Sequence, residues 1–323
     1  MTTARRALFP LLKYSADRRT LAFIAVYTVL VAAGFALWDV LAWWQHGLLM
    51  GATCLFAFFN AVIVHNIVHC PVFRHKPLNR WFQYVVSVAY GHPVSAFVRG
   101  HNLSHHMHTQ TRKDVMRTSK ARFKWHLLNQ LLYFFVIIPD INQANQSYAR
   151  KMRTERPEWF WQFVREWIAV FAVMGLLLVI NWQAFIVYFL LPHGYGAWGI
   201  VGINFIQHDG TDRDHAFNHS RNFVGKTINW WAFNNGFHGL HHHKPRMHWS
   251  LLPEVHAAEV APYIDPRLDQ TSLIAYCWTT YIWPGKRTTF DGKPFFPEPA
   301  GEDDNWIPGR NETPEGVSLG AVA

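Results

Sequence analysis

Between Thr20 and His65 the chain carries no Lys or Arg, and Leu21 through His65 contains a single acid, Asp39. A second gap of the same kind separates Glu166 from His208. A bilayer core is about 30 Å thick and takes about 20 helical residues to cross, so each gap accommodates two crossings. The expected spans are residues 21–38 and 42–64, turning near Asp39, and 167–180 and 184–206, turning near Asn181. The alternative, a pair of buried helices in a soluble core, is disfavoured because gaps this long without a basic side chain are rare there.

Composition supports the division. Half the residues are hydrophobic and 16% are charged, yet the mean hydropathy is only -0.03, so the average conceals apolar and polar parts. All 30 Lys and Arg fall outside the two expected hairpins. A hairpin returns the chain to the side it left, so the basic segments share one face, and the positive-inside rule makes that face cytoplasmic. Both termini are expected there. The net charge of +9 is thereby explained by topology, and nucleic-acid binding loses its motivation. The basic N-terminus precedes an apolar run that continues through Trp38, Trp43 and Trp44 without a small-residue cleavage site, which reads as an uncleaved anchor. Residues 81–98 and 125–139 are apolar but interrupted by polar groups, and read as helices lying at the interface. From Pro284 the chain turns rich in Pro, Gly and acids. The expected organisation is a basic segment over 1–19, a membrane domain over 20–283 and a polar cytoplasmic tail over 284–323. The sequon at Asn311 falls in that tail and is expected to carry no glycan. No internal repeat is evident, and three scattered Cys imply no disulfide framework.

Twenty His exceed any ordinary share. His65 and His69 stand at i and i+4 at the end of the second span, on one helix face, which is bidentate metal geometry. Two further clusters, His101 with His105 and His106, and His238 with His241 and His242, each combine a spaced His with an adjacent pair. Adjacent helical side chains diverge by about 100°, so a pair such as His105 and His106 suits two ions side by side better than one. Asn204 and His208 repeat the i, i+4 spacing at the end of the fourth span. Imidazole favours borderline metals such as iron, copper or zinc, and nine histidines greatly exceed the four of a structural zinc. The chain contains no Glu-x-x-His, which separates it from the soluble di-iron carboxylate bundles. Of the other histidines, His46 and His193 lie within the spans and read as satisfied polar residues or cavity liners, His126 and its like lack comparable spacing, and His108 and His243 sit beside the boxes and could substitute in an alternative register.

The histidine pattern resembles that of the membrane fatty-acid desaturase and hydroxylase superfamily over roughly residues 20–260. Phe73-Arg74 and Leu78-Asn79 after the first box, and Leu252-Pro253-Glu254-Val255-His256 after the third, resemble the family's continuations. The resemblance implies an all-α integral membrane enzyme with four spans, interfacial helices and a cytoplasmic di-metal domain. It implies a di-iron centre held by His65, His69, His101, His105, His106, His208, His238, His241 and His242, with Asn204 reaching a metal through water. Asp209 is the first candidate for a carboxylate that orients a ligating imidazole.

The activity so implied is O2-dependent oxidation of an unactivated C–H bond in a lipid. Introduction of a double bond into an acyl chain is favoured by the Phe73-Arg74 and Leu78-Asn79 context; hydroxylation of a lipid, carotenoid or alkane is the alternative. His92-Pro93-Val94 does not match the haem motif of a fused cytochrome b5 domain, so electrons are expected from a separate protein such as a ferredoxin with its reductase. Arg112, Lys113, Arg117, Lys120, Arg122 and Lys124 form a basic cluster suited to an acidic carrier or to anionic lipid headgroups. A metal transporter is a remote alternative, because transporters place ligands near the bilayer midplane.

Overall fold

The computed structural model describes residues 11–299. The Asn311 sequon and most of the expected polar tail lie outside the described residues. The chain is mostly helical: α1 (Arg18–Ala36), α2 (Trp43–Ile67), α3 (Lys76–Tyr90), α4 (His106–His108), α5 (His126–Glu155), α6 (Pro157–Ile180), α7 (Trp182–Phe185), α8 (Leu191–His208), α9 (Lys226–Trp231), α10 (His238–His243), α11 (Leu252–Glu259) and α12 (Leu273–Cys277).

Local chemistry sets the boundaries. The α2 start is tied by the Ala42 N–H donating to Gln45 Oε1 at 2.8 Å. α3 and α6 each carry Pro in the first turn, where the missing N–H costs nothing. α3 ends at Gly91, whose φ of 79° is left-handed, and an added Cβ would meet the His193 ring at 2.5 Å. Asn181 stops α6 and caps α7, accepting from the N–H groups of Gln183 and Ala184, each at 3.0 Å. α7 runs through a π-helical turn, Ile186–Leu190, into α8. Pro192 follows that turn and cannot donate back into it.

Among the described residues, four helical stretches are long and apolar enough to cross a membrane: Ser15–Ala36, Trp43–Ile67, Pro157–Ile180 and Trp182–His208. These four helices support an integral membrane protein. In the Pro157–Ile180 stretch only 11% of the most apolar 18 residues are buried, so Ile168, Phe171 and Leu176 present an apolar face outward. In water that face would be unfavourable; in lipid it is the solvated one.

The described residues divide into two compact units. The first comprises 11–97 and 152–200. Here α1 packs on α2, α2 on α3, and α3 on α6. The histidines inside its apolar helices are satisfied: His193 lies 2.8 Å from the Tyr27 hydroxyl and 3.2 Å from the Ala89 carbonyl, and His46 lies 2.6 Å from the Tyr188 hydroxyl. The Glu166 carboxylate, fully buried, accepts from the Ser95 N–H at 2.9 Å and from the Ser95 hydroxyl and Gln162 Nε2 at 3.0 Å each. A buried carboxylate with three donors is a tie between elements, here between α6 and the 3-10 turn Val94–Ala96.

The second unit comprises 98–151 and 201–299. It holds a π-helix, Val98–His105, running into α4, and most of α5. It also holds α9 to α12 and a two-residue parallel pair, β1 (Asn222–Phe223) beside β2 (Asp269–Gln270), a small exception to an all-helical fold. Residues 284–299 belong to this unit: Arg287 bonds to Asp209, and the Phe290 N–H donates to the Gly210 carbonyl at 2.8 Å. The beginning of the expected polar tail is therefore packed structure.

A short device recurs three times, a repeat that the bare sequence does not advertise. Phe73, Phe123 and Phe223 each stand six residues before an Asn in the first turns of a helix, namely α3, α5 and α9. Asn79 Nδ2 donates to the Phe73 carbonyl at 2.8 Å and its Oδ1 accepts from the Phe73 N–H at 2.9 Å. Asn129 does the same with Phe123, at 2.8 Å both ways. Asn229 donates to the Phe223 carbonyl at 2.6 Å, while its Oδ1 accepts from the Gly236 N–H at 3.1 Å. One amide thus satisfies loop donors and acceptors that a helix start would leave orphaned.

Candidate metal centre

α2 carries His65 and His69 in its last turn and just beyond; both are buried, and their ring centroids lie 5.7 Å apart. The remaining seven histidines of the expected ligand set lie in the second unit, where three segments bring them together. The π-helix matters locally. Its wider turn pairs residues at i and i+5, which puts His101 beside His106, with their Nε2 atoms 3.1 Å apart. Nε2 of His241 in α10 lies 3.0 Å from Nε2 of His106. His101, His106 and His241 form one set.

His105, next in the chain to His106, belongs to a different set with His208, His238 and His242. His238 and His242 share a face of α10 at i, i+4, and His208 closes α8. Their Nε2 atoms are 2.8 Å apart for His238 and His208, 3.1 Å for His242 and His238, and 3.2 Å for His208 and His242. Ligand atoms of all four lie within 4.8 Å of one another.

The outer nitrogens decide what these sets can hold. His105 Nδ1 lies 2.8 Å from the Asp114 carboxylate, His208 Nδ1 lies 3.0 Å from the His219 carbonyl, and His242 Nδ1 lies 3.3 Å from the Thr109 hydroxyl. A carboxylate and a carbonyl accept only, so they call for N–H at Nδ1; the Thr109 hydroxyl already donates to the His105 carbonyl at 3.0 Å and can accept as well. Each Nε2 is thus left with a lone pair. His105 Nε2 is buried and has no hydrogen-bond partner. Converging lone pairs repel one another unless a cation sits among them. Tetrahedral coordination at a metal–nitrogen distance of about 2.0–2.1 Å would set the nitrogens roughly 3.3 Å apart, close to the spacings seen. The residues fit a metal ion with imidazole ligands.

Electrostatics agrees. Burial, with His106 and His238 adding to it, pushes the His242 imidazole well below its ordinary value, keeping it in the neutral form that ligates. Burial opposes ionisation of Asp114, but the facing His105 and the backbone N–H groups of Gln110 and Met116 outweigh it and hold its carboxyl below the usual carboxylate range. Asp114, fully buried, is the carboxylate that bonds to an imidazole of the two histidine sets. Its signal in the sequence is slight: it is the one acid between His101 and Lys124, inside a basic run.

Asp209 is placed otherwise than expected. Its carboxylate accepts from Arg287 Nη2 at 2.6 Å and Nε at 3.2 Å rather than from a nitrogen of the two histidine sets. Arg287 donates also to the Ala121 carbonyl at 2.8 Å, so the pair locks the chain that leaves α8. Asn204 lies one turn before His208, buried beside the Tyr133 hydroxyl. The basic cluster over 112–124 is only partly a surface. Arg117 is 1% exposed and donates to the carbonyls of Arg112 and Asp114, Lys120 pairs with Asp140, and Arg122 donates to the Glu298 carbonyl. Of the histidines read as satisfied, His256 meets Asp269 at 3.0 Å and His248 Nδ1 accepts from the Ser250 N–H at 3.2 Å. The His126 ring lies tilted against Tyr281, centroids 4.4 Å apart, and burial lowers it to about 4.

No curated protein matches the chain. The profile of the family described as Fatty acid desaturase matches residues 42–272, which takes in every histidine named above as a ligand. Two imidazole sets of the kind that hold metal, in a chain with four membrane-length helices, accompany that match. The chain belongs to the fatty acid desaturase family, and is an oxidoreductase that acts on lipid with O2.

Proposed function

We propose that this protein inserts a double bond into a fatty acyl chain, using two irons held by His65, His69, His101, His105, His106, His208, His238, His241 and His242, with Asn204 as a water-mediated contact. The observation that carries the reading is the partition of seven buried or half-buried imidazoles into two sets with their Nε2 atoms turned inward. When bound, the irons would supply reductive activation of O2 and with it the oxidising power to attack an unactivated C–H bond, which no side chain can do. Everything else falls to the chain. Asp114, the His219 carbonyl and Thr109 hold N–H at Nδ1 of three ligands and so keep Nε2 available. Val115, Phe205 and Leu240, each 1% exposed or less, pack around these segments and exclude water from them.

The site and both termini face the cytoplasm in this reading, by the one-sided placement of the basic residues. Electrons come from a separate carrier such as a ferredoxin with its reductase. Arg117 and Lys120, spent on internal bonds, are not part of its docking face. The Asn79 clamp gives the Leu78-Asn79 pair a structural task, holding the chain that follows the first histidine pair.

The test is the lipid profile of a host expressing the chain beside hosts expressing His105→Ala and His242→Ala. New acyl chains lighter by 2 mass units, lost in both variants, are expected. Products heavier by 16 would replace desaturation with hydroxylation.

A further inference from the structure

In the first unit the start of α3 and the start of α6 line a half-open cavity of about 830 Å³, within the size range of small-ligand sites. Its walls carry Arg80, Arg156 and Arg165 against one acid, Glu158. Arg80 and Glu158 are already paired at 3.2 Å. The guanidinium groups of Arg156 and Arg165 make no ion pair or hydrogen bond with any described residue, so the cavity presents two uncompensated positive charges. α3 and α6 both begin in its wall, and their positive dipole ends add to that field.

We propose that this cavity binds the phosphate of an anionic phospholipid. Phosphate is the chemistry that two planar guanidinium groups recognise, by paired N–H donation. A lipid, rather than a free phosphate, is indicated by what borders the cavity. Arg165 is the last basic residue before the charge-free stretch, so its head stands at the depth where headgroup meets hydrocarbon. Trp81 is 70% exposed and Trp161 53% exposed in the same wall, as suits rings at a membrane interface. Beyond them the outward apolar residues of α6, Ile168 and Phe171, offer a track for an acyl tail. A net positive cavity favours an anionic headgroup over a zwitterionic one.

The test uses the full-length protein in neutral detergent, titrated with phosphatidylglycerol or phosphatidylcholine and read by native mass spectrometry. One phosphatidylglycerol is expected to be retained in preference to phosphatidylcholine. The double variant Arg156→Gln with Arg165→Gln should lose that preference, a fall of roughly tenfold or more in affinity. Glu158→Gln should act in the opposite direction and tighten binding, because it releases Arg80 to the phosphate. These residues are exposed, so thermal unfolding should be unchanged. Equal retention of the two lipids, or an undiminished preference in the double variant, would overturn the proposal. So would displacement of phosphatidylglycerol by millimolar inorganic phosphate, which would assign the cavity to a soluble anion.

Discussion

Replacing Asp114 by Asn changes one atom of the side chain and almost none of its volume, yet the geometry makes it severe. Oδ2 of Asp114 accepts from His105 Nδ1 at 2.8 Å and from the Gln110 N–H at 2.9 Å, while Oδ1 accepts from the Met116 N–H at 2.8 Å. An amide has a single acceptor. With its NH2 toward Met116, a buried backbone donor is orphaned, costing about 1–3 kcal/mol. With its NH2 toward His105, Nδ1 must become the acceptor, the proton moves to Nε2, and the nitrogen that should meet the metal is blocked. The first arrangement is the less costly; even so, the bond holding His105 weakens from charge-assisted to neutral. Iron affinity should fall about 10- to 100-fold, the usual effect of removing a partner of a metal-ligating His. The assay is iron retained per chain after dialysis against graded chelator, with metal-free unfolding measured in parallel. An Asp114→Asn protein that holds iron as the parent does would refute the argument that Asp114 sets the tautomer of His105.

Three further outcomes are expected. Arg287→Ala leaves Asp209, 3% exposed, as an unpaired buried charge and should destabilise the protein by about 3–5 kcal/mol in detergent unfolding; Asp209→Asn in the same background should recover part of the loss. Asn129→Ala removes both clamp bonds to Phe123 and one to the Trp125 carbonyl, and should cost about 2–3 kcal/mol by the same assay, counting about 1 kcal/mol per bond. Burial lowers both His92 and His126 to about 4, so the unfolded chain takes up protons on these groups at higher pH than the folded one. Stability of the metal-free protein should therefore fall as pH drops from about 6.5 to about 4, and His126→Gln should flatten that dependence.

Much of the molecule was legible from residue order. Charge-free stretches mark the four membrane-length helices because the transfer cost of a charge into lipid is local and nearly additive along a helix. Helix ends were less legible. Pro157–Ile180 starts ten residues before the charge-free stretch, since Glu158, Arg165 and Glu166 sit in its first turns and are handled by ion pairing, exposure and the Ser95 tie. The second expected interfacial helix, 125–139, continues to Glu155 because Pro139 does not end α5. The three Phe-to-Asn clamps are not readable from residue order, because two letters at a spacing of six mean nothing until their backbone partners are known.

The histidines show where the boundary falls. Their spacing along the chain was enough to single out the ligand candidates, because i and i+4 on a helix share a face whatever the rest of the protein does. That His105 and His106 part company, one joining His208, His238 and His242 and the other His101 and His241, follows from a π-helix and from α10 meeting it. That His105 bonds to Asp114, while Asp209 pairs with Arg287, is of the same kind: Arg287 stands 78 residues away from Asp209 in the chain. Local composition and periodicity determine which segments are helical, which are apolar and which side chains can bind metal. Which nitrogen meets which depends on contacts between segments distant in sequence, and that only the tertiary structure decided.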